Sequence, residues 1–243
     1  MNKKVSFANS STLLILFIFL ANSIFAQPKA DSLIAEVMRK NAEVKSFRAD
    51  VSIDVDVDFI NIPIKKGKIF FKAPDKFKFR ATGFVLVPKK GLDFSIQEML
   101  LQPHTAIYVS ADDTNHLLKI VPMSPDADYV IASLWIDREL LRINKVDISS
   151  QQQGNFLMKF GYGDLAYDIP VSTQVFFDIS QIDIPMQFIT NMKSDKKDKE
   201  GKSKGSVTMT YSNFKINGEI PDEEFEENAS DSILRVESTK KTN

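Results

Sequence analysis

From residue 51 the chain alternates without a break. In Val51-Ser-Ile53-Asp-Val55-Asp-Val57-Asp-Phe59 every odd position is apolar and every even one polar. Successive side chains of a strand point to opposite faces, so this stretch predicts a half-buried β-strand with the odd residues inside and the aspartates in water. Asp54, Asp56 and Asp58 resemble a metal cluster on paper. Side chains two apart on a strand rise about 6–7 Å from one to the next, too far to chelate one ion. They are therefore read as a solvated face.

Shorter apolar runs repeat the signal. Strands are predicted at Lys68–Phe71 and Phe77–Ala81, on either side of Pro74, and again at Gly83–Val87, Ala106–Ser110 and Leu117–Val121. Asp112 to Asn115 forms a turn between the last two. Later strands are predicted at Val146–Ser149, Phe156–Phe160, Val171–Asp178, Pro185–Thr190 and Ser206–Tyr211, ending near Phe214–Ile216. Two stretches follow a helical period instead. Residues 31–45 place Leu33, Ile34, Val37 and Met38 on one face, with Asp31 or Ser32 as the cap. After Ser124-Pro125, the positions of Tyr129, Val130, Leu134, Trp135, Leu141 and Ile143 predict one or two short helices.

The first residues are excluded from the fold. Lys3 and Lys4, the apolar run Leu13 to Ala21, then Asn22, Ser23 and Ala26 have the three parts of a secretory signal peptide. The run is shorter than the ~20 residues of a membrane span. Residues 1–26 are expected to be removed, and N-terminal sequencing of the exported product should then begin at Gln27. The remaining 217 of 243 residues, 27–243, are expected to form a single domain. Within it, 193–205, with six lysines and three acids, reads as a mobile charged loop, and 228–243 as a polar tail.

Composition narrows the chemistry. No cysteine is present, which excludes disulfides, thiolate nucleophiles and a lipidated cysteine. Without Lys3 and Lys4 the chain holds 29 basic and 32 acidic residues, a net charge of −3 that gives no general attraction to nucleic acid. His104 and His116 stand apart from each other, and no HExxH, GxSxG or Walker-type motif occurs. Gly161-Tyr-Gly163-Asp164 lies between two predicted strands and reads as a hairpin turn rather than a phosphate cradle. No catalytic residue, metal ligand or cofactor is assigned, and the chain is read as a non-enzyme. Apolar bulk is abundant by contrast, with 19 phenylalanines. A many-stranded sheet with few helices must close on itself or curl around a cavity.

Three passages resemble the LolA/LolB-type lipoprotein carriers. A helix runs into Val44-Lys-Ser-Phe47-Arg-Ala-Asp-Val51 and a long strand. Gly67-Lys-Ile-Phe-Phe-Lys72-Ala-Pro74-Asp-Lys-Phe77-Lys-Phe79 is similar to the family's glycine–strand–proline–strand hairpin. Tyr211-Ser-Asn213-Phe214-Lys-Ile-Asn217-Gly-Glu-Ile220-Pro-Asp-Glu-Glu-Phe225 is similar to its closing passage. The order of these passages spans essentially the whole of 27–243. The resemblance implies a mainly β fold: a strongly curved antiparallel sheet, an open half-barrel, with a few helices covering the concave face. It further implies a periplasmic, monomeric carrier whose apolar cavity takes the acyl chains of a lipoprotein or lipid. An inner-membrane releasing complex and an outer-membrane acceptor are the partners it implies. A sensory domain of the same fold, detecting lipid or mislocalised lipoprotein, is the alternative. In the family an arginine before the hairpin proline holds the lid. Ala73 stands there, leaving Arg80 as the substitute to test. Period and position then nominate Val55, Val57, Phe71, Phe79 and Ile107 for the cavity wall, and Leu134 and Trp135 for the lid.

Overall fold

A computed structural model describes residues 29–57, 60–74, 76–81, 96–151, 154–178 and 204–226. The predicted signal peptide, the strands at Gly83–Val87 and Pro185–Thr190, most of the charged loop and the polar tail lie outside these residues.

The alternation at 51–57 is one half of a longer strand, β1 (Ser46–Val57). Val51, Ile53, Val55 and Val57 are buried on one side, while Asp54 and Asp56 are exposed on the other. Replacing Asp56 with Asn should therefore shift stability by less than about 0.5 kcal/mol in a denaturant titration, as surface changes usually do. After the two-residue β2 (Ile60–Asn61) come β3 (Lys65–Lys72) and β4 (Lys76–Ala81), paired as an antiparallel hairpin around Ala73-Pro74. Gly67 allows its strands to approach. A Cβ there would collide with the Arg80 carbonyl oxygen and crowd the Phe79 ring at 3.1 Å.

Seven more strands complete the sheet: β5 (His104–Ala111), β6 (Asn115–Pro122), β7 (Tyr129–Asp137), β8 (Ile143–Ser150), β9 (Asn155–Tyr162), β10 (Pro170–Asp178) and β11 (Lys204–Ile216). Their order is β4-β3-β1-β11-β10-β9-β8-β7-β6-β5, with β2 paired only to β1 off this path. Every adjacent pair is antiparallel. The ends β4 and β5 do not pair with each other among the described residues, so the sheet is an open half-barrel.

The helices predicted after Ser124-Pro125 are strands. Ser124 does accept a hydrogen bond from the Asp126 amide at 3.3 Å, as a cap would, but only a turn follows before β7. From Ala132 to Ile136 alternate residues are completely buried. Their neighbours Ile131 and Trp135 lie on the opposite face, and apolar residues on both faces blur period 2 into an apparent helical spacing. The β-branched and aromatic side chains of Val130, Ile131, Trp135 and Ile136 suit a pleated surface.

Two α-helices occur among the described residues. In α1 (Ala30–Asn41), Leu33, Ile34 and Val37 enter the core, as the amphipathic pattern requires. Its boundaries differ from expectation. Lys29 is the N-cap, no side chain caps it, and the helix ends at Asn41 rather than at residue 45. Short α2 (Ile96–Leu101), not foreseen in the sequence, adds Met99 and Leu100 to the same core.

A closing clasp joins the ends of the described chain. Asn217, in the left-handed region at φ 55°, accepts a hydrogen bond from the Lys45 amide at 2.7 Å and donates to the Glu43 carbonyl at 3.0 Å. Its own amide donates to the Ser46 carbonyl at 2.7 Å. Asn tolerates this backbone better than other non-glycine residues. One side chain thus locks the end of β11 to the corner between α1 and β1.

Candidate functional site: an apolar pocket on the concave face

Sheet register decides which side chains share the concave face. On β1 it carries Phe47, Ala49, Val51, Ile53, Val55 and Val57. Cross-strand partners extend it to Ile69 and Phe71 on β3, Phe77 and Phe79 on β4, and Val207, Met209 and Tyr211 on β11. Near its end β11 carries an extra residue. Between Ser212 and Lys215 it spans three steps where β1 spans two, and Asn213 takes a φ of 55°. Such a bulge shifts the alternation by one, so Phe214 returns to the same side as Tyr211. The Phe214 ring lies 6.3 Å from Phe47 and 6.5 Å from Tyr211.

Both halves of this face contribute to one buried cluster with α1 and α2, and a pocket opens on one of them. Over β6 to β9, Leu118, Ile120, Leu134, Val146 and Ile148 are fully buried in one cluster with α1 and α2. Over β4, β3, β1, β11 and β10 the same face leaves an apolar pocket of about 150 Å³. Val51, Ile53 and Met209 form its floor, Ile69, Phe77 and Phe79 one wall, and Phe47, Tyr211 and Phe214 another, with Ile169-Pro170 and Thr173 across from the hairpin. Its polar side-chain groups are two hydroxyls. That of Tyr211 donates to the Met209 sulfur at 3.6 Å, and burial pushes its pKa upward, so it stays neutral.

Of the residues nominated from sequence, Val55, Val57, Phe71 and Phe79 lie on the concave face. Phe79 lines the pocket. Phe71 stacks behind it on Phe47 at 5.4 Å, and Val55 and Val57 lie farther along β1 in the core cluster. Ile107 does not belong there. It pairs with Lys119 on the convex face and is 47% exposed, whereas its neighbours Ala106 and Tyr108 turn inward. An error of one position sends a strand residue to the opposite face. Leu134 and Trp135 are not lid residues either. Leu134 is core on β7, and Trp135 points outward with the Lys145 ammonium 3.5 Å from its ring centre. The pocket residues missed, chiefly Phe47, Met209, Tyr211 and Phe214, needed the β1–β11 register and its bulge to be placed.

Arg80 does not latch the concave side. It lies on the convex face, ion-paired with Glu224. The rim of the pocket is held by other charges. Lys40, near the end of α1, pairs with Asp168 and donates to the Leu140 carbonyl, and Arg142 approaches Asp168 at 3.8 Å. Arg142 also lies 4.2 Å from the ring centre of Tyr162, whose hydroxyl donates to the Ile143 carbonyl at 2.8 Å. Asp168 immediately precedes Ile169-Pro170, so this cluster fixes the segment that edges the pocket.

His104 contacts the Gln102 carbonyl at 2.8 Å, and His116 contacts the Tyr108 hydroxyl at 3.1 Å. Burial and nearby Arg138 lower the pKa of His116. Among the described residues no three His, Asp or Glu side chains gather as metal ligands, and no helix is long and apolar enough to cross a membrane.

No family model and no curated protein matches the sequence. Solved structures do match its fold. A LolA superfamily protein from Nitrosomonas europaea aligns over 83% of this chain and 99% of its own, at 12% identity and a TM-score of 0.54. A DUF1329 family protein from Desulfovibrio piger aligns over 82% and 98%, at 8% identity and a TM-score of 0.50. An outer membrane lipoprotein-sorting protein domain from Vibrio parahaemolyticus aligns over 81% and 97%, also at 8% and 0.50. Alignment over nearly the full length of each makes this a likeness of whole domains: the chain has the fold of the LolA superfamily and its lipoprotein-sorting relatives.

Proposed function

We infer that the protein is a non-enzymatic carrier that takes acyl chains of a lipoprotein or lipid into the concave pocket and moves them through the periplasm toward the outer membrane. The observation that carries this reading is the apolar pocket left open on the β4, β3, β1, β11 and β10 side of one continuous apolar face. The fold likeness to lipoprotein-sorting domains supports it. Burying a methylene gains about 0.8 kcal/mol, so ten contribute roughly 8 kcal/mol without any polar recognition.

A pocket of about 150 Å³ is below the ~300–1,000 Å³ of typical small-molecule sites. It holds only part of an acyl chain, so loading requires the rim to move. The cluster of Lys40, Asp168 and Arg142 holds that rim. Replacing Asp168 with Ala should speed uptake of a fluorescent acyl probe in stopped-flow mixing. Unchanged uptake would place the moving element elsewhere.

Mass spectrometry of lipid extracted from the natively purified protein tests the function itself. Stoichiometric acylated material is expected. Repeated preparations free of lipid, together with failure to take up lipid from vesicles, would contradict a carrier.

A further inference from the structure

The convex face behind the pocket carries an arrangement that acyl binding does not use. On β3 and β4, Lys68 faces Arg80 and Lys72 faces Lys76, with Lys66 and Lys78 on the same side. Like charges directly opposite destabilise a hairpin. Here they are offset by an acidic segment folded over them, the turn of 3-10 helix at Asp222–Phe225. Asp222 pairs with Lys72 at 2.6 Å and Lys76 at 3.0 Å, and Glu224 pairs with Arg80. Main-chain carbonyls join in: Lys72 donates to Ile220 at 3.3 Å and Lys78 to Glu226 at 3.1 Å. This surface therefore already holds an acidic peptide, through carboxylates two residues apart and through the peptide backbone.

The basic surface extends beyond that segment. Next to Glu224 a groove of about 420 Å³ runs across β3, β1 and β11, and its cations include Arg48, Lys68 and Lys215. All three side chains are exposed, and they form no ion pair among the described residues. Arg48 and Lys215 are direct cross-strand partners. Asp50 in the groove, the cross-strand partner of Lys68, accepts from Asn213 at 2.7 Å. The cations thus gather at the end of this face where Arg48 pairs with Lys215, away from Asp54 and Asp56 farther along β1, and act over a screening length of roughly 10 Å.

We propose that the convex face of β3, β4, β1 and β11 is a docking surface for an acidic segment of a partner protein, and that residues 220–226 compete with that segment for it. The bound segment shows the chemistry the surface accepts, and Arg48, Lys68 and Lys215 are the part it leaves uncovered. Docking on this side leaves the concave pocket open to load and unload.

The test is calorimetric titration of the full chain with a synthetic hexaglutamate peptide at low salt. Saturable binding is expected, weakened severalfold between 50 and 200 mM salt as screening grows. Arg48→Glu with Lys215→Glu should weaken it by about tenfold or more. Both side chains are exposed and form no ion pair among the described residues, so thermal melting should show an intact fold, with Lys68→Gln as the milder second variant. Asp222→Asn with Glu224→Gln should tighten binding, because the internal competitor is weakened. Peptide binding that is absent, or indifferent to the Arg48 and Lys215 changes, would overturn the proposal. So would a failure of the Asp222 and Glu224 variant to bind tighter. Sedimentation with phosphatidylglycerol vesicles that is lost in the Arg48 and Lys215 variant, without any peptide binding, would assign the surface to membranes instead.

Discussion

Replacing Leu134 with alanine is expected to cost about 2–5 kcal/mol of stability, while Trp135→Ala, one residue on, costs about 1 kcal/mol. Leu134 is completely buried between Leu118 on β6 and Val146 on β8, its direct cross-strand partners. Truncation leaves a cavity that neighbours on three strands cannot close. Trp135 is the larger side chain but points outward, and it loses chiefly its contact with the Lys145 ammonium. Chemical denaturation of the two variants measures the difference. Equal losses would mean that the two residues share an environment, as a lid helix would provide, and would contradict β7.

The second large effect concerns the open half of the face. Met209→Trp should weaken binding of a fluorescent fatty-acyl probe by about tenfold. The added ring fills space worth about two methylenes, at ~0.8 kcal/mol each, and ~1.4 kcal/mol is a factor of ten. Stability should fall by less than the ~1–3 kcal/mol of an overpacked core, because the pocket gives the ring room. Val146→Trp, on the same face but in the solid half, has no such room and should unfold the protein. A Met209→Trp variant as unstable as Val146→Trp would show that the pocket is not usable space.

The sequence made much of this legible where only one face of an element is apolar. The alternation from Val51 to Val57 fixed the inward side of β1, and Pro74 between two apolar runs fixed the β3–β4 hairpin. The passage from Tyr211 to Phe225 was marked by its resemblance alone, and the clasp within it, Asn217 in a left-handed backbone with three hydrogen bonds to the α1–β1 corner, is visible only in three dimensions. Legibility failed where both faces are apolar. On β7 the outward Val130, Ile131 and Trp135 erased period 2. On β5, where Ile107 and Val109 are exposed at 47% and 44%, no hydropathy contrast fixed the register. The pocket was half legible for a similar reason. Phe79 followed from the hairpin, but Phe214 reaches the pocket only through the bulge at Asn213, which no local pattern reveals. The docking of the acidic stretch from Asp222 on Lys72, Lys76 and Arg80 depends on contacts about 150 residues apart in sequence, which no local pattern reveals.

The central claim is that the concave face holds an acyl chain. Titrating the purified, delipidated protein with a fluorescent fatty-acyl probe tests it most directly. Saturable binding near one probe per chain, displaced by added lipid and weakened by Met209→Trp, is the expected result. Fluorescence that rises without saturation, or saturates equally in the Met209→Trp variant, would contradict it.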